Sequence, residues 1–269
     1  MADKEALPDG VNTAVPNGAR IYDYLLGGKD NYLADQRVAE EMTKANPSAP
    51  LTARANREFL GRAVRFLAEE RGVRQFIDIG AGLPTQENVH QVAQAVAPGS
   101  RVVYVDYDPV VIVHARALLG TSDDVQVVEA DLREPARILS DPVISDLIDF
   151  REPVAVLLVA ILHFVGPDDD PRGIVARLRA AMAPGSHLVV SHTASESSGE
   201  VMGTAQRGFR ASGAPLTPRT RAEIRGFFAG FELAEPGLVD VREWRPAPGT
   251  PDARSDQPWT IVGGVGSLK

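Results

Sequence analysis

The 269-residue sequence contains no cysteine, which excludes disulfide bonds, thiolate metal sites and a cysteine nucleophile. It also lacks a long apolar run, because the longest, Val154 to Leu162, is about half the ~18 residues of a membrane span. The N-terminus does not show the basic-then-apolar order of a secretory signal peptide. We therefore expect a cytoplasmic protein without a membrane partner.

Positive charge is in deficit, with 28 Lys and Arg against 36 Asp and Glu and a formal net charge of −8. This balance disfavours a general nucleic-acid binder, so we expect no nucleic-acid partner. Arg54 to Arg74 is a local exception that holds six arginines and three glutamates. We interpret it as the solvated face of a helix, with a phosphate-binding patch as the alternative.

Alternating strand-like and helix-like segments predict a doubly wound α/β fold with a mostly parallel sheet. Five short apolar strands are expected at residues 75–79, 102–105, 125–129, 154–159 and 187–191. Two late strands, Gly237 to Trp244 and Trp259 to Val265, have no helix between them and are joined by a loop at 245–258. They predict an antiparallel hairpin at the edge of a seven-stranded sheet. Three helices are expected before the sheet, at 20–26, 33–45 and 52–71.

The segment Asp78 to Gly82 directly follows the first strand, at the edge of the sheet where such folds bind ligands. Gly80 and Gly82, with Ala81 between them, permit a sharp turn and a close approach of the backbone to a ligand. The dinucleotide fingerprint requires a third glycine, but Thr85 occupies that position. A strand-ending turn with no ligand is the alternative interpretation.

Two more acidic residues follow strands at the same rim. Asp106 ends the second strand, where a carboxylate can accept hydrogen bonds from both hydroxyls of a ribose, and Tyr107 is included with it in the candidate site. Asp131 follows the third strand, where it could accept from an adenine amino group while the amide of Leu132 donates to a ring nitrogen. Helix capping is the alternative for Asp131, and it is the role expected for Asp108.

These strand-end segments, at residues 76–82, 102–109, 127–132 and 153–165, together resemble a class I S-adenosylmethionine-dependent methyltransferase. Residues Asn17 to Tyr32 resemble the signature of an actinobacterial methyltransferase family that was long catalogued as a domain of unknown function. The resemblance extends from about Asn17 to Gly266. It implies a Rossmann-like fold with an N-terminal helical cap and S-adenosyl-L-methionine as cofactor, but it does not name a substrate.

The resemblance also implies roles for individual residues. Asp78, Gly80 and Gly82 would surround the methionine moiety of the cofactor. Asp106 would hold the ribose, and Asp131 with Leu132 would hold the adenine. Ala160 to Phe164 would face the sulfonium and the substrate. The chain would form one domain over residues 1–269, with a helical cap or lid at 14–72, a cofactor-binding core at 73–192 and the C-terminal helices and strand pair at 193–269.

Residues Tyr22 to Tyr32 combine aromatic, glycine and charged residues in a short stretch. In a lid over the cofactor, Lys29 could pair with the methionine carboxylate, and Tyr22 and Tyr24 could line the cationic sulfonium. The alternative is a helix that only packs on the sheet through its apolar residues.

His163 follows the fourth strand, where a general base would lie if the acceptor must lose a proton. A core histidine bonded to the backbone is an equal alternative. His192 is a weaker candidate, and the other three histidines, His90, His114 and His187, are expected to be structural. The histidines are isolated in the sequence, so we expect no metal site.

We predict an S-adenosylmethionine-dependent methyltransferase that acts on an unidentified acceptor, expected to be a small molecule. One alternative is a non-catalytic S-adenosylmethionine-binding or regulatory protein, which a cavity sealed by the N-terminal segment would favour. A second is an NAD-dependent oxidoreductase, which the missing third glycine and the Asp131 motif disfavour. An RNA methyltransferase is a third. A homo-oligomer is left open.

Overall fold

A computed structural model describes residues 12–84, 87–119, 122–197, 199–247 and 259–269. Three helices precede the sheet: α1 (Gly18–Leu26), α2 (Leu33–Ala45) and α3 (Ala49–Glu69). The side chain of Asn17 caps α1 by accepting from the amides of Ala19 and Arg20, and Gly27 ends the helix with a φ of +85°. A fully buried ion pair between Arg20 and Asp35, 3.0 Å apart, joins α1 to α2.

The sheet has eight strands in the spatial order β3-β2-β1-β4-β5-β8-β6, and β7 also pairs with β8. The strands are β1 (Gln75–Ile79), β2 (Arg101–Asp106), β3 (Val125–Glu129), β4 (Ala155–Val159), β5 (His187–Thr193), β6 (Phe231–Leu233), β7 (Val239–Asp240) and β8 (Ile261–Leu268). The first five are parallel, and β8 is antiparallel to all of its partners. The predicted α/β fold, with its mostly parallel sheet and antiparallel C-terminal strand, is confirmed.

The remaining helices follow the strands in the chain. They are α4 (Val89–Val96), α5 (Pro109–Leu119), α6 (Pro135–Leu139), α7 (Pro142–Leu147), α8 (Pro171–Ala181), α9 (Gly199–Ala211) and α10 (Arg221–Arg225). Short 3-10 helices lie at Leu162–Phe164, Pro167–Asp169 and Gly226–Phe228. Among the described residues, no helix has both the length and the apolar character required to cross a membrane.

The predicted antiparallel pairing of the two late strands is confirmed, because β7 pairs with β8 through Val239 with Gly263 and Asp240 with Val262. The structure adds β6, which also pairs with β8 and was not predicted. β8 lies inside the sheet, with β5 on one side and β6 and β7 on the other. The edge is formed by two short strands because Pro236, which has no amide hydrogen, and Gly237 interrupt it between β6 and β7. The unpredicted β6 raises the strand number from seven to eight. Residues 248–258 of the predicted connecting loop lie outside the described part of the chain.

Side chains from β4 divide between two apolar cores, one on each face of the sheet. Ala155 and Leu157 belong to the core beneath α1–α4, whereas Val156 and Leu158 belong to the core beneath α6–α8. Burial on both faces explains the unbroken apolar run in the sequence. Because β1 to β5 are parallel, their carboxyl ends lie along one edge of the sheet. α1 and α3 pack beside this edge.

Candidate functional site

A cavity lies at the carboxyl ends of β1, β2, β4 and β5, and α1, α3 and α9 supply its other walls. It encloses about 1160 Å³ of empty space, its open mouth included. The cavity therefore joins residues from four strand ends and three helices at one rim of the sheet.

The structure brings most of the predicted site residues into the lining of this cavity. They are Tyr22, Asp78, Gly80, Ala81, Gly82, Asp106, Tyr107, Ala160 and His163. The other four, Tyr24, Lys29, Asp131 and Leu132, lie outside the lining.

The turn after β1 requires glycine at position 80 for two reasons. Gly80 has a φ of +75°, and a Cβ added there would lie 2.4 Å from Cγ1 of Ile161. Gly82 also has a positive φ, of +68°, but a Cβ there would meet open space. The turn therefore packs the backbone of Gly80 against Ile161, in the loop after β4, and leaves open space beside Gly82. Thr85, where the third glycine of the dinucleotide fingerprint would lie, is outside the described residues.

The carboxylate of Asp106 is held in place by two backbone amides. Gly82 donates to Oδ2 at 2.9 Å, and Asp108 donates to Oδ1 at 3.0 Å. Burial raises the pKa of Asp106 to about 6, although these hydrogen bonds act in the opposite direction. The remaining lone pairs of a fixed carboxylate are suited to accept hydrogen bonds from ligand hydroxyls. Tyr107, half-exposed, lies beside it at the rim.

Asp108 takes the capping role expected from the sequence, because its Oδ1 accepts from the amide of Val110 at 2.8 Å. Its Oδ2 is buried in the lining and has no hydrogen-bond partner among the described residues. A buried carboxylate oxygen without a partner is costly, and a donor from a bound ligand would relieve that cost.

Asp78 and Arg57 both line the cavity and interact electrostatically. Burial raises the pKa of Asp78 to about 7, while the nearby Arg57 lowers it and Asp106 raises it further. Arg57 donates through Nη2 to the carbonyl of Glu87 and to Oδ1 of Asn88, each at 3.2 Å. Its Nε is buried without a partner among the described residues. A cation and a carboxylate side by side suit a ligand that carries both charges.

Sequence analysis missed Arg57, because it assigned the whole arginine-rich segment to a solvated helix face. Four of its arginines, Arg54, Arg65, Arg71 and Arg74, are indeed exposed. Arg57 instead lines the cavity, and Arg62 donates to the backbone carbonyls of Val241 and Trp244. One available signal was the pair Thr52 and Asn56, two polar residues four apart on the buried face of α3.

A hydrogen-bonded chain connects α1, α3 and the loop after β4. Ala160, in the left-handed region at a φ of +55°, donates its amide to Oγ of Ser191 at 2.9 Å. Ser191 donates to Oδ1 of Asn56 at 2.6 Å, and Nδ2 of Asn56 donates to the hydroxyl of Tyr22 at 2.9 Å. Tyr22 donates to the carbonyl of Ala53 at 3.0 Å. This chain holds the strained Ala160 and the cavity-lining helix α1 in one arrangement.

The predicted residues outside the lining have other contacts. The hydroxyl of Tyr24 lies 3.4 Å from Oε1 of Glu40 at the surface, and Lys29 is exposed. Asp131 accepts from the amide, Nε and Nη2 of Arg133. Burial of Asp131 acts to raise its pKa, but these bonds outweigh it and the pKa is lowered. Leu132 is buried in the core beneath α6–α8.

His163 is buried in the lining. Its Nδ1 accepts from the amide of Thr193 at 3.4 Å, and no described residue bonds to its Nε2. Burial, with smaller contributions from His192 and Arg219, places the pKa of His163 well below its ordinary value. Both nitrogens of His192 are engaged, by the carbonyl of Thr193 and by Nη1 of Arg219, so His192 is structural. Among the described residues, no group of His, Asp and Glu is arranged to hold a metal ion.

A family model described as S-adenosyl methyltransferase matches residues 4–269, nearly the entire chain. The chain belongs to the S-adenosyl methyltransferase family. The resemblance inferred from the strand-end segments and from Asn17 to Tyr32 is confirmed, and the cofactor of the family is S-adenosylmethionine.

Two solved structures are similar to this S-adenosyl methyltransferase family member over their full lengths. A DUF574 family protein from Streptomyces avermitilis is 43% identical with a TM-score of 0.91, covering 96% of this chain and 99% of its own. A Thermobifida fusca protein provisionally described as a methyltransferase is 42% identical with a TM-score of 0.91, covering 97% and 98%.

A more distant structure shares the fold alone. It is an S-adenosylmethionine-dependent methyltransferase from Anabaena variabilis, 14% identical with a TM-score of 0.52, covering 76% of this chain and 80% of its own. A search of curated proteins finds no sequence match.

The residues present fit the cofactor of the S-adenosyl methyltransferase family. The methionine end of S-adenosylmethionine carries a carboxylate and an ammonium group, which match the unpartnered Nε of Arg57 and the carboxylate of Asp78. The ribose carries two hydroxyls, which match the fixed carboxylate of Asp106. The open space at Gly82 admits the ligand close to the backbone. Arg57, which lines the cavity, is therefore better placed than Lys29 to pair with the methionine carboxylate of the cofactor.

Replacing Tyr22 with phenylalanine should lower the free energy of unfolding by about 1 kcal/mol, because it removes the hydroxyl that joins Asn56 to the carbonyl of Ala53. Tyr24→Phe is the matched control and should change the free energy of unfolding little, since its hydroxyl lies at the surface. Urea denaturation of both variants checks the difference. Equal effects would show that the hydrogen-bonded chain adds no stability.

Stability should depend on pH through Asp78. Its pKa is raised from 3.8 to about 7 by burial, so the folded protein binds more protons than the unfolded protein between these values. Raising the pH through this window therefore removes stability, on the order of a few kcal/mol. Buried histidines with lowered pKa values, such as His187 and His192, change stability in the opposite direction.

The contribution of Asp78 is isolated by the variant Asp78→Asn, which cannot titrate. The difference in unfolding free energy, wild type minus variant, should decrease as the pH rises from 4 to 7.5, about the window set by the two pKa values. Urea titrations at several pH values measure it. A difference independent of pH would show that Asp78 titrates normally in the folded protein.

Proposed function

We propose that this protein catalyses methyl transfer from S-adenosylmethionine to a small-molecule acceptor. The observation that supports this most strongly is the composition of the cavity lining. The residues that fit the cofactor are Asp78 and Asp106 at the ends of β1 and β2 and Arg57 on α3, whereas α1, α9 and the start of β8 contribute a second, mainly apolar and aromatic set of lining residues. A protein that only bound the cofactor would not need this second set.

The chain contributes mainly by positioning. When bound, S-adenosylmethionine supplies a methyl group on a positively charged sulfur, whose bond to carbon breaks as the acceptor bonds to that carbon, leaving S-adenosylhomocysteine. Such an in-line displacement gains most from holding the acceptor close and aligned. α1 and α3 form walls of the site, and the hydrogen-bonded chain from Tyr22 to Ala160 fixes those walls relative to the loop after β4.

His163 as a general base stays a prediction. An imidazole whose Nδ1 accepts from an amide carries its proton on Nε2, the nitrogen without a described partner. In that tautomer Nε2 donates a hydrogen bond to the acceptor. Burial raises the pKa of Tyr22, and its hydroxyl is already engaged by the carbonyl of Ala53 and the side chain of Asn56, so Tyr22 is not a base for this step. Proton removal, where the acceptor requires it, falls to solvent at the cavity mouth.

Two measurements test the proposal. Thermal unfolding with S-adenosylmethionine, S-adenosylhomocysteine, NAD or NADP should show stabilisation by the two sulfur compounds alone, by about 2.7 kcal/mol at 100 times the dissociation constant. Stabilisation by NAD alone would contradict the proposal and revive the oxidoreductase alternative.

Catalysis is tested by incubating the protein and isotopically labelled S-adenosylmethionine with a library of small molecules. Mass spectrometry should detect a labelled methyl product, and at a cofactor concentration near the wild-type dissociation constant Asp106→Ala should form much less of it. Tight cofactor binding without any product across the library would favour the regulatory alternative. The small-molecule partner, the cytoplasmic location and homo-oligomerisation stay predictions.

A further inference from the structure

The charged side chains of the described lining come from three elements and the turn after one of them. They are Arg57 on α3, Asp78 near the end of β1, Asp106 at the end of β2 and Asp108 in the turn that follows β2. Another part of the lining, here called the aromatic wall, consists of Tyr22, Phe164, Phe209, Trp259 and Ile261. No charged side chain from the described residues lies in the aromatic wall.

The aromatic wall is a continuous surface built from distant parts of the chain. The rings of Phe164 and Phe209 meet edge-to-face with their centroids 5.0 Å apart. Gly18 of α1 faces both rings, because a Cβ there would lie 3.9 Å from Phe209 and 4.0 Å from Phe164. Trp259 donates to Oγ1 of Thr193 at 3.4 Å. Thr193 in turn donates its amide to His163.

Most polar groups near the aromatic wall are already engaged within the protein. The Tyr22 hydroxyl and the Asn56 side chain each both donate and accept. Thr52 donates its hydroxyl to the carbonyl of Ser48. Nε2 of His163, which has no described partner, is free to donate one hydrogen bond to a ligand. Among the described residues, Arg57 acts electrostatically on Tyr22 and Arg219 on His163, but neither arginine belongs to the aromatic wall. A charged ligand would therefore lose its hydration against the aromatic wall without an ion-pair partner in that wall, which is unfavourable.

Aromatic rings that present both faces and edges favour another ring, because offset and edge-to-face contacts add attraction beyond the buried area. We infer that the acceptor is a neutral, planar aromatic molecule carrying an oxygen atom, which binds against the aromatic wall with that oxygen bonded to Nε2 of His163. This inference rests on the proposed function, because the wall is an acceptor site only when the cofactor occupies the charged part.

The test is a binding experiment with three probes that share one ring system. The protein is first titrated with S-adenosylhomocysteine by calorimetry and then kept saturated with it. 1-Naphthol, 1-naphthoate and 1-naphthylmethylammonium, which are neutral, negative and positive at neutral pH, are then titrated separately. We expect 1-naphthol to bind about tenfold or more tightly than either charged probe. Binding of a charged probe as tightly as 1-naphthol, or no binding of 1-naphthol, would overturn the inference.

Phe209→Leu and Phe66→Leu form a matched pair of variants. Phe209 belongs to the aromatic wall, whereas Phe66 packs on Trp244 outside the cavity lining. Phe209→Leu should weaken 1-naphthol binding by roughly fivefold through loss of the ring contact, and Phe66→Leu should not. Both should bind S-adenosylhomocysteine as the wild type does. Equal affinities for 1-naphthol in the two variants would count against the aromatic wall.

The titration with S-adenosylhomocysteine distinguishes a failure of the proposed function from a failure of the inference about the acceptor. If S-adenosylhomocysteine does not bind, the proposed function fails and the inference fails with it. If it binds and the probes show no preference for the neutral ring, the inference fails while the proposed function stands. The probe series uses the unaltered protein, so this test does not depend on the folding of any variant.

Discussion

Replacing Asp106 with alanine is expected to weaken S-adenosylhomocysteine binding by on the order of 1.5–3 kcal/mol, or roughly 10- to 150-fold in dissociation constant. The carboxylate is already oriented by the amides of Gly82 and Asp108, so little ordering is required when it accepts the ribose hydroxyls. Its removal also leaves both amides without their acceptor. Calorimetric titration of the variant measures the loss directly.

Two further variants show how much of this loss is due to the charge of Asp106 and whether it is specific to the cavity. Asp106→Asn keeps one oxygen acceptor but loses the charge, so its affinity should lie between those of wild type and Asp106→Ala. Asp123→Ala removes an exposed carboxylate outside the lining, in the turn before β3, and should bind as the wild type does. An unchanged affinity in Asp106→Ala would remove Asp106 from the cofactor site.

Replacing Gly80 with alanine should lower the free energy of unfolding by roughly 2–5 kcal/mol. About 1–2 kcal/mol comes from forcing a residue with a Cβ into the left-handed region. The rest comes from overlap of that Cβ with Ile161, 2.4 Å from its Cγ1. Because Ile161 adjoins Ala160, the overlap should also disturb the hydrogen-bonded chain and weaken cofactor binding.

Gly72→Ala supplies the matched control. Gly72 has a φ of +67°, close to that of Gly80, but a Cβ there would have no atom within 4 Å. Its substitution should therefore cost only the backbone strain, about 1–2 kcal/mol. Urea denaturation of both variants gives the difference due to the overlap. Equal losses would show that Ile161 moves aside at no cost.

The parallel part of the fold could be predicted because its signals are local. The strands from Gln75 to Ser191 are short apolar runs that end at turn residues, and α2 runs from Leu33 to Ala45 as its periodicity predicts. The position of β8 could not be predicted in this way. Its three glycines give no alternating pattern, and they make room for Phe59 on one face and for Phe228 and Phe231 on the other. Those partners are distant in the chain.

The functional site, like the fold, could be predicted from the sequence only in part. Asp78, Gly80, Gly82 and Asp106 could be assigned from the sequence because each lies at or just after the end of a strand, and parallel strands bring their carboxyl ends to one rim. Asp131 also follows a strand, but its neighbour Arg133 engages its carboxylate. A competition of this kind depends on side-chain geometry that spacing does not specify.

The sequence by itself determined the fold class, the family, the cofactor and the acidic and glycine residues at the strand ends, since periodicity and turn chemistry act over a few residues. Only the tertiary structure decided that Arg57 lies beside Asp78 and that Asn56 joins Ser191 to Tyr22. The tertiary structure alone places Phe209 and Trp259 in the same aromatic wall of the cavity. The physical reason is that these contacts depend on how α1, α3, α9 and β8 pack together, and packing is decided by the whole core.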